Sequence, residues 1–191
     1  VWEESLRATR SRSMDHEFVI RGDAGIADLV AAVSQEKLWA FLKELSDFPD
    51  RSATTDNGGK ASNFLKERAE LLGNGSGKLQ ARLVATESPS YQKQPSVVVS
   101  WLGNDLEAPH VVIGGHMDTF SPNRPGADDD GSGSAVLMEA LRVVTSQKAT
   151  FENTIDFVWY AAEERGLVGS KFVVTEFQNK KIPVLAAIQF D

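Results

Sequence analysis

The chain has 191 residues, enough for one sizeable domain with a packed core. A formal net charge of -7 argues against a broad nucleic-acid surface, which needs clustered Lys and Arg, and no apolar run approaches the roughly 18 residues of a membrane span. There is no cysteine, so a disulfide framework and a thiolate metal site are both excluded, while the compartment is left open.

The first element in chain order is weakly patterned. Arg7, Arg10, Arg12 and Arg21 stand against Glu3, Glu4, Asp15, Glu17 and Asp23, with a poor apolar period. Residues 1–34 read as an N-terminal extension or pro-segment remnant, and the start at Val1 rather than Met fits a processed or trimmed end. From Ala24, Ile26, Leu29, Val30 and Val33 recur at helical spacing. Ser34 opens a fresh helix carrying Leu38, Phe41, Leu42 and Leu45. Asp56-Asn57-Gly58-Gly59 reads as a turn, followed by a helix from about Lys60 to Leu72 that ends at Gly73-Asn74-Gly75.

The period then changes to two. Leu79, Ala81 and Leu83 alternate with polar neighbours, as in a half-buried strand. Ser96 to Leu102 and His110 to Ile113 are two further strands, the second ending at Gly114-Gly115. Ala135, Val136, Met138, Leu141 and Val144 mark a long helix after an acidic loop. Ile155 to Tyr160 is a strand, Val168 to Phe177 a helix, and Val184 to Phe190 a final buried strand. Strands alternating with helices predict an α/β layered fold with a largely parallel core sheet.

In such folds, sites gather at the carboxyl ends of strands. Four polar clusters fall at or just beyond those ends: Gly114-Gly115-His116-Met117-Asp118, Asp128-Asp129-Asp130, Ala161-Ala162-Glu163-Glu164, and Phe190-Asp191. Each has an ordinary reading when taken singly. A histidine after a strand is commonly a hydrogen-bonded or surface residue, and acids ahead of a helix commonly serve as a cap and complement the dipole. A Glu pair is commonly a solvated face. Together, however, one imidazole and several carboxylates would converge in space. Converging acids need a cation or their pKa values rise steeply, and imidazole with carboxylates is a ligand set suited to zinc or similar divalent metals.

The runs GGHMD, PGADDDGSG, YAAEERGLVGS and QFD, in that order, resemble the M28 family of zinc peptidases, with greatest similarity to bacterial leucyl-type aminopeptidases. The related M20 peptidases share His-x-Asp and Glu-Glu but lack the Gly-Ala-Asp-Asp phrase. The resemblance covers about residues 35–191, the N-terminal part of an M28-type domain. It implies a three-layer α/β/α fold with a mostly parallel central sheet, incomplete at its C-terminal end. It also implies a zinc-dependent aminopeptidase that releases N-terminal residues from peptides through a metal-bound water.

Carried over residue by residue, the resemblance makes Asp129 the bridge between two zinc ions. His116 and Asp191 complete one zinc and Glu164 binds the other. Asp118 fixes the His116 ring, and Glu163 is the general base and proton shuttle. The family also holds the bridging Asp in a cis peptide with the next residue, here Asp129–Asp130. A second family histidine should finish the Glu164 zinc. His16, His110 and His116 are the histidines here, and neither His16 nor His110 matches that place. The chain is therefore expected to be a truncated or cleaved portion, with one or no zinc fully coordinated alone. Its C-terminal remainder should supply the last His and cover exposed apolar sheet surface. The resemblance further implies a peptide substrate, a secreted or periplasmic location, and neither nucleic acid nor membrane as a partner. Two other readings share the fold. One is a non-catalytic M28-like binding module, which would have lost ligands that this chain keeps. The other is a glutaminyl-cyclase-like acyltransferase.

Overall fold

The computed structural model describes residues 24–73 and 75–191. The chain divides after Ala31. Helix α1, Ala24–Ala31, lies in the first unit, with Ile26 and Val30 exposed one turn apart. The expected extension 1–34 lies mostly outside the described residues, as does His16.

The unit from Ala32 to Asp191 holds everything else. Helix α2, Gln35–Ser46, starts where Ser34 predicts: the Ser34 side chain accepts the Lys37 N–H at 3.3 Å. The Ser34 N–H in turn donates to Glu139 Oε1 at 2.6 Å, so Ser34 is anchored to the body of this unit.

Helix α3, Asp56–Leu72, corrects one expectation. Asp56-Asn57-Gly58-Gly59 is its first turn, not a separate turn ahead of it. The two glycines serve close packing. A Cβ on Gly58 would meet the Ser52 carbonyl oxygen at 2.3 Å, and one on Gly59 the Lys93 carbonyl oxygen at 2.5 Å. Glycine in a sequence signals backbone freedom or close approach alike, and here the second applies.

Five strands follow: β1 Leu79–Val84, β2 Ser96–Trp101, β3 His110–His116, β4 Ile155–Tyr160 and β5 Val184–Gln189. Helix α4, Gly131–Ser146, separates β3 from β4, and helix α5, Val168–Asn179, separates β4 from β5. The sheet order is β1-β2-β4-β3-β5. Strands β4, β3 and β5 are mutually parallel and form the expected parallel centre, while β2 runs antiparallel to both β1 and β4.

Alternation along β2 and β4 builds the layers. Val97, Val99, Trp101, Phe157 and Trp159 face one way, into a core with Leu45, Leu65, Leu137 and Leu141 from α2, α3 and α4. Val98 and Val158 face the other way, into a core with Val173 and Phe177 of α5. The result is the three-layer α/β/α arrangement. Trp159 is fully buried, and its indole N–H reaches the Ser134 carbonyl of α4 at 3.2 Å. A buried Trp normally finds such a partner, and this one pins the start of α4 to the sheet.

Register decides where the site forms. His116 pairs with Tyr160, so β3 and β4 end level. Gly114 pairs with Gln189, and the Phe190 N–H donates to the Gly114 carbonyl at 2.8 Å. Residues just past all three parallel strands therefore meet at one edge. The expected burial of the last strand is corrected: β5 is an edge strand exposed along its whole length, with Leu185 at 65% and Ile188 at 53%. Among the described residues, no helix is long and apolar enough to cross a membrane.

Candidate metal centre

Each ligand candidate is held by a different element. His116 is the last residue of β3, and its neighbours Gly114 and Gly115 let other chain segments come close. A Cβ on Gly115 would sit 3.0 Å from Asp130 Oδ2, and one on Gly114 would sit 2.5 Å from the Tyr160 ring. The acidic loop thus presses against the strand end.

The three acids of that loop divide their tasks. Asp130 is buried and caps α4: its carboxylate accepts the Gly133 N–H at 2.8 Å and the His116 N–H at 3.0 Å. Ser134 Oγ donates to the His116 carbonyl at 3.1 Å. The start of α4 therefore grips both polar groups of the His116 backbone. Asp129 joins Asp130 through a cis peptide and stays 68% exposed, with Oδ1 2.9 Å from His116 Nε2. Asp128 points to solvent, and its carbonyl accepts the Ser132 hydroxyl at 2.7 Å.

Asp191 follows β5, with Oδ1 4.0 Å from His116 Nε2. One donor atom each from His116, Asp129 and Asp191 lies within 4.8 Å of the others. An imidazole nitrogen and two carboxylates within one ion's reach match the chemistry of a zinc site, so these residues fit the metal that the sequence predicts.

The two glutamates sit on a short 3₁₀ turn, Glu163–Arg165, entered through Ala162 at φ 48° and left through Gly166 at φ 92°. Alanine in the left-handed region costs on the order of 1–3 kcal/mol, tolerated here because its neighbours fix it. The Ala162 N–H donates to Gln94 Oε1 at 3.2 Å. Asp118, fully buried, accepts the Glu163 N–H at 2.8 Å and the Glu164 N–H at 3.3 Å.

The nearest acceptor for His116 Nδ1 is the Asp118 backbone carbonyl, at 3.1 Å, with the Asp118 carboxylate at 3.5 Å. Asp118 therefore touches both the histidine ring and the glutamate turn. Glu163 Oε2 lies 3.9 Å from His116 Nε2. Glu163 lines a cavity of about 260 Å³ with Asp191, Tyr160 and Leu167. Glu164 instead lines one of about 410 Å³ with Asp129, Phe120 and Arg124, and is not among the three converging groups. His110 is at the far end of β3, its Nδ1 2.6 Å from Asp156 Oδ2.

Crowding shows in the protonation energetics. For His116, burial pulls the pKa down, but the hydrogen bond and charge of Asp118 and the charges of Asp130 and Glu163 outweigh it and push it up to about 9. Burial drives the Asp130 carboxyl up to about 6, against the favourable His116 charge and two N–H bonds. Glu163 and Glu164 are raised by burial and by neighbouring acids.

A stability prediction follows. Protonated His116 stabilises the metal-free fold fully below its unfolded value of about 6.5, and this is lost as pH rises through about 9. Thermal melts of chelator-treated protein should fall across that window, a loss on the order of 3 kcal/mol from this group. Zinc-loaded protein should show a shallower decline, because a metal binds the neutral imidazole. A flat metal-free profile between pH 6.5 and 9 would refute the coupling.

Two residues outside the expected set also matter. Arg51 is fully buried beneath the loops, and Gln94 bridges the Arg51 carbonyl, at 2.9 Å, to Ala162. Phe48-Pro49-Asp50-Arg51 carries no pattern that separates a buried Arg from a surface one.

The fold and the converging groups define an α/β protein with a His/carboxylate cluster that could hold a metal ion at the carboxyl edge of its parallel strands. Residues 96–191 match Peptidase family M28, and the chain belongs to that family. It is 33% identical over 178 residues to leucine aminopeptidase 1 of Ajellomyces capsulatus, a match covering 88% of this chain and 45% of that protein. The LapA aminopeptidase structure from Legionella pneumophila superposes with a TM-score of 0.86 at 42% identity, covering 94% of this chain and 48% of that one. LapB from the same organism gives 0.84 at 34% identity, covering 98% and 52%. The chain spans about half the length of the relatives it matches.

Proposed function

We propose that this chain carries the principal ligand set of a zinc-dependent aminopeptidase, an enzyme that removes N-terminal residues from peptides. The observation that carries the reading is the convergence of His116, Asp129 and Asp191 within 4.8 Å, with Glu163 3.9 Å from the same imidazole nitrogen. His116, Asp129 and Asp191 would hold one zinc. Asp129 and Glu164 would hold a second, completed by a histidine from polypeptide beyond Asp191. The exposed apolar residues of β5 favour a covering segment from that same polypeptide. Bound zinc supplies Lewis acidity toward the scissile carbonyl and makes water more acidic.

The protein's own groups do the rest. Glu163 takes the proton from the attacking water and returns it to the departing amine, while Asp118 fixes the turn from which Glu163 projects. The reading extends to a secreted or periplasmic location, supported by the family resemblance.

The test is hydrolysis of leucine p-nitroanilide by the purified full-length protein. Activity should vanish on chelation and return with added zinc. A folded, zinc-loaded protein that cleaves neither aminoacyl anilides nor short peptides would overturn the proposal. Cyclisation of an N-terminal Gln peptide in its place would assign acyltransfer instead.

A further inference from the structure

The guanidinium of Arg51 is buried beneath the candidate metal centre, and among the described residues its side-chain hydrogen bonds all go to main-chain carbonyls rather than to a carboxylate. Nε donates to the Met117 carbonyl at 2.8 Å, one residue past His116. Nη2 donates to the Gly126 carbonyl at 2.7 Å, and Nη1 to the Pro125 carbonyl. Nη1 also reaches the Leu45 carbonyl of α2 at 3.4 Å. The Arg51 backbone N–H donates to Thr119 Oγ1 at 3.1 Å.

One side chain thus grips both loops that deliver ligands. The Gly126 carbonyl it holds also accepts the Gly131 N–H at 3.0 Å, the first residue of α4, directly after the acidic loop. Gly126 adopts φ 52°, and a Cβ there would meet Thr119 Cγ2 at 2.5 Å and Arg51 Nη2 at 3.2 Å.

The charge is as informative as the bonds. A buried cation with no direct counter-ion is costly. Here burial lowers the Arg51 pKa to about 10, opposed by the charges of Asp118, Asp130, Asp129 and Asp50. The acids that crowd the metal centre and the cation beneath it offset one another. Lys cannot replace this arrangement, since an ammonium is a point donor and the two loops need a planar fork.

We infer that Arg51 is a positioning residue that assembles the His116 loop and the Asp128–Asp130 loop into ligand-ready register before metal arrives. This rests on the metal-centre reading but not on the identity of the substrate.

The experiment is amide hydrogen exchange on the metal-free full-length protein, with zinc affinity measured by chelator competition. In the wild type, the amides of His116, Gly131, Gly133 and Glu163 should be protected without metal. In Arg51→Lys, which keeps the charge but not the fork, those amides should exchange at least tenfold faster while Val98 and Val158 in the sheet are unchanged. Zinc should bind at least tenfold more weakly. Arg51→Gln, which also loses the charge, should exceed both effects if it folds. Three outcomes would overturn the inference: site amides unprotected in metal-free wild type, an Arg51→Lys variant within twofold of wild type on both readouts, or an equal rise at site and sheet amides, the mark of a merely structural role. Failure of anilide hydrolysis with these exchange results intact would remove the aminopeptidase reading and leave Arg51 in place.

Discussion

Glu163→Gln is expected to lower kcat for aminoacyl anilide hydrolysis by about 10³-fold, within the usual range for loss of general acid–base catalysis, with bound zinc unchanged. Glu163 is not one of the three converging ligand groups, so removing its charge takes no donor from them. Its position is set from behind: the Asp118 carboxylate holds the Glu163 N–H at 2.8 Å, and Gln preserves that backbone bond. What Gln cannot do is accept and return a proton. Burial raises the Glu163 pKa, His116 lowers it, and the charges of Asp118, Asp191 and Asp129 raise it further. The metal-free site therefore holds this carboxyl above the usual carboxylate range. KM should change little, because the lost interaction belongs to the transition state. Metal analysis beside steady-state kinetics checks this. A variant with near-wild-type kcat would end the proton-shuttle assignment.

Asp129→Ala is expected to reduce zinc content and to lower activity by about 10³-fold or more, since a metal contributes several kcal/mol of transition-state stabilisation and each 1.36 kcal/mol is tenfold in rate. The neighbouring acids make the control. Asp128→Ala should stay within about threefold of wild type, because this side chain is exposed and only its backbone carbonyl is engaged. Asp130→Ala should instead lower thermal stability, by about 1 kcal/mol for the lost cap and more for the orphaned His116 N–H. Three adjacent aspartates would then give three different phenotypes: metal loss, near silence and destabilisation. Equal metal loss from Asp128→Ala and Asp129→Ala would show that the loop contributes diffuse charge rather than one ligand.

Much of this was legible in the amino-acid order because its signals are local. The alternation of β1, the apolar runs of β2 and β4, the Ser34 cap and the helical period from Ala135 to Val144 are each visible in a short window. The four polar clusters at the ends of β3, β4 and β5 and at the head of α4 could be named as candidates because parallel strands bring such ends together. The rest depended on partners distant in sequence. Whether Gly58 and Gly59 mark a turn or a close approach depends on Ser52 and Lys93. The antiparallel setting of β2 against β4 is a matter of topology, which a strand's own residues do not encode. Arg51 was silent because its partners are main-chain carbonyls, which every residue has. Asp118 showed only its nearness to His116, while its bonds to the glutamate turn span 45 residues or more.

The reversed direction of β2 also partitions the molecule. Its carboxyl end, at Trp101, lies level with the start of β4, so the connection from Leu102 to Pro109 sits at the opposite pole from His116. Asn104 to Glu107 are exposed there. This connection stands apart from the loops that carry His116, Asp129 and Glu163, so the protein offers a handle for attachment. A fluorophore, a surface tether or a fused domain joined at Asn104–Glu107 could be carried without crowding the metal centre.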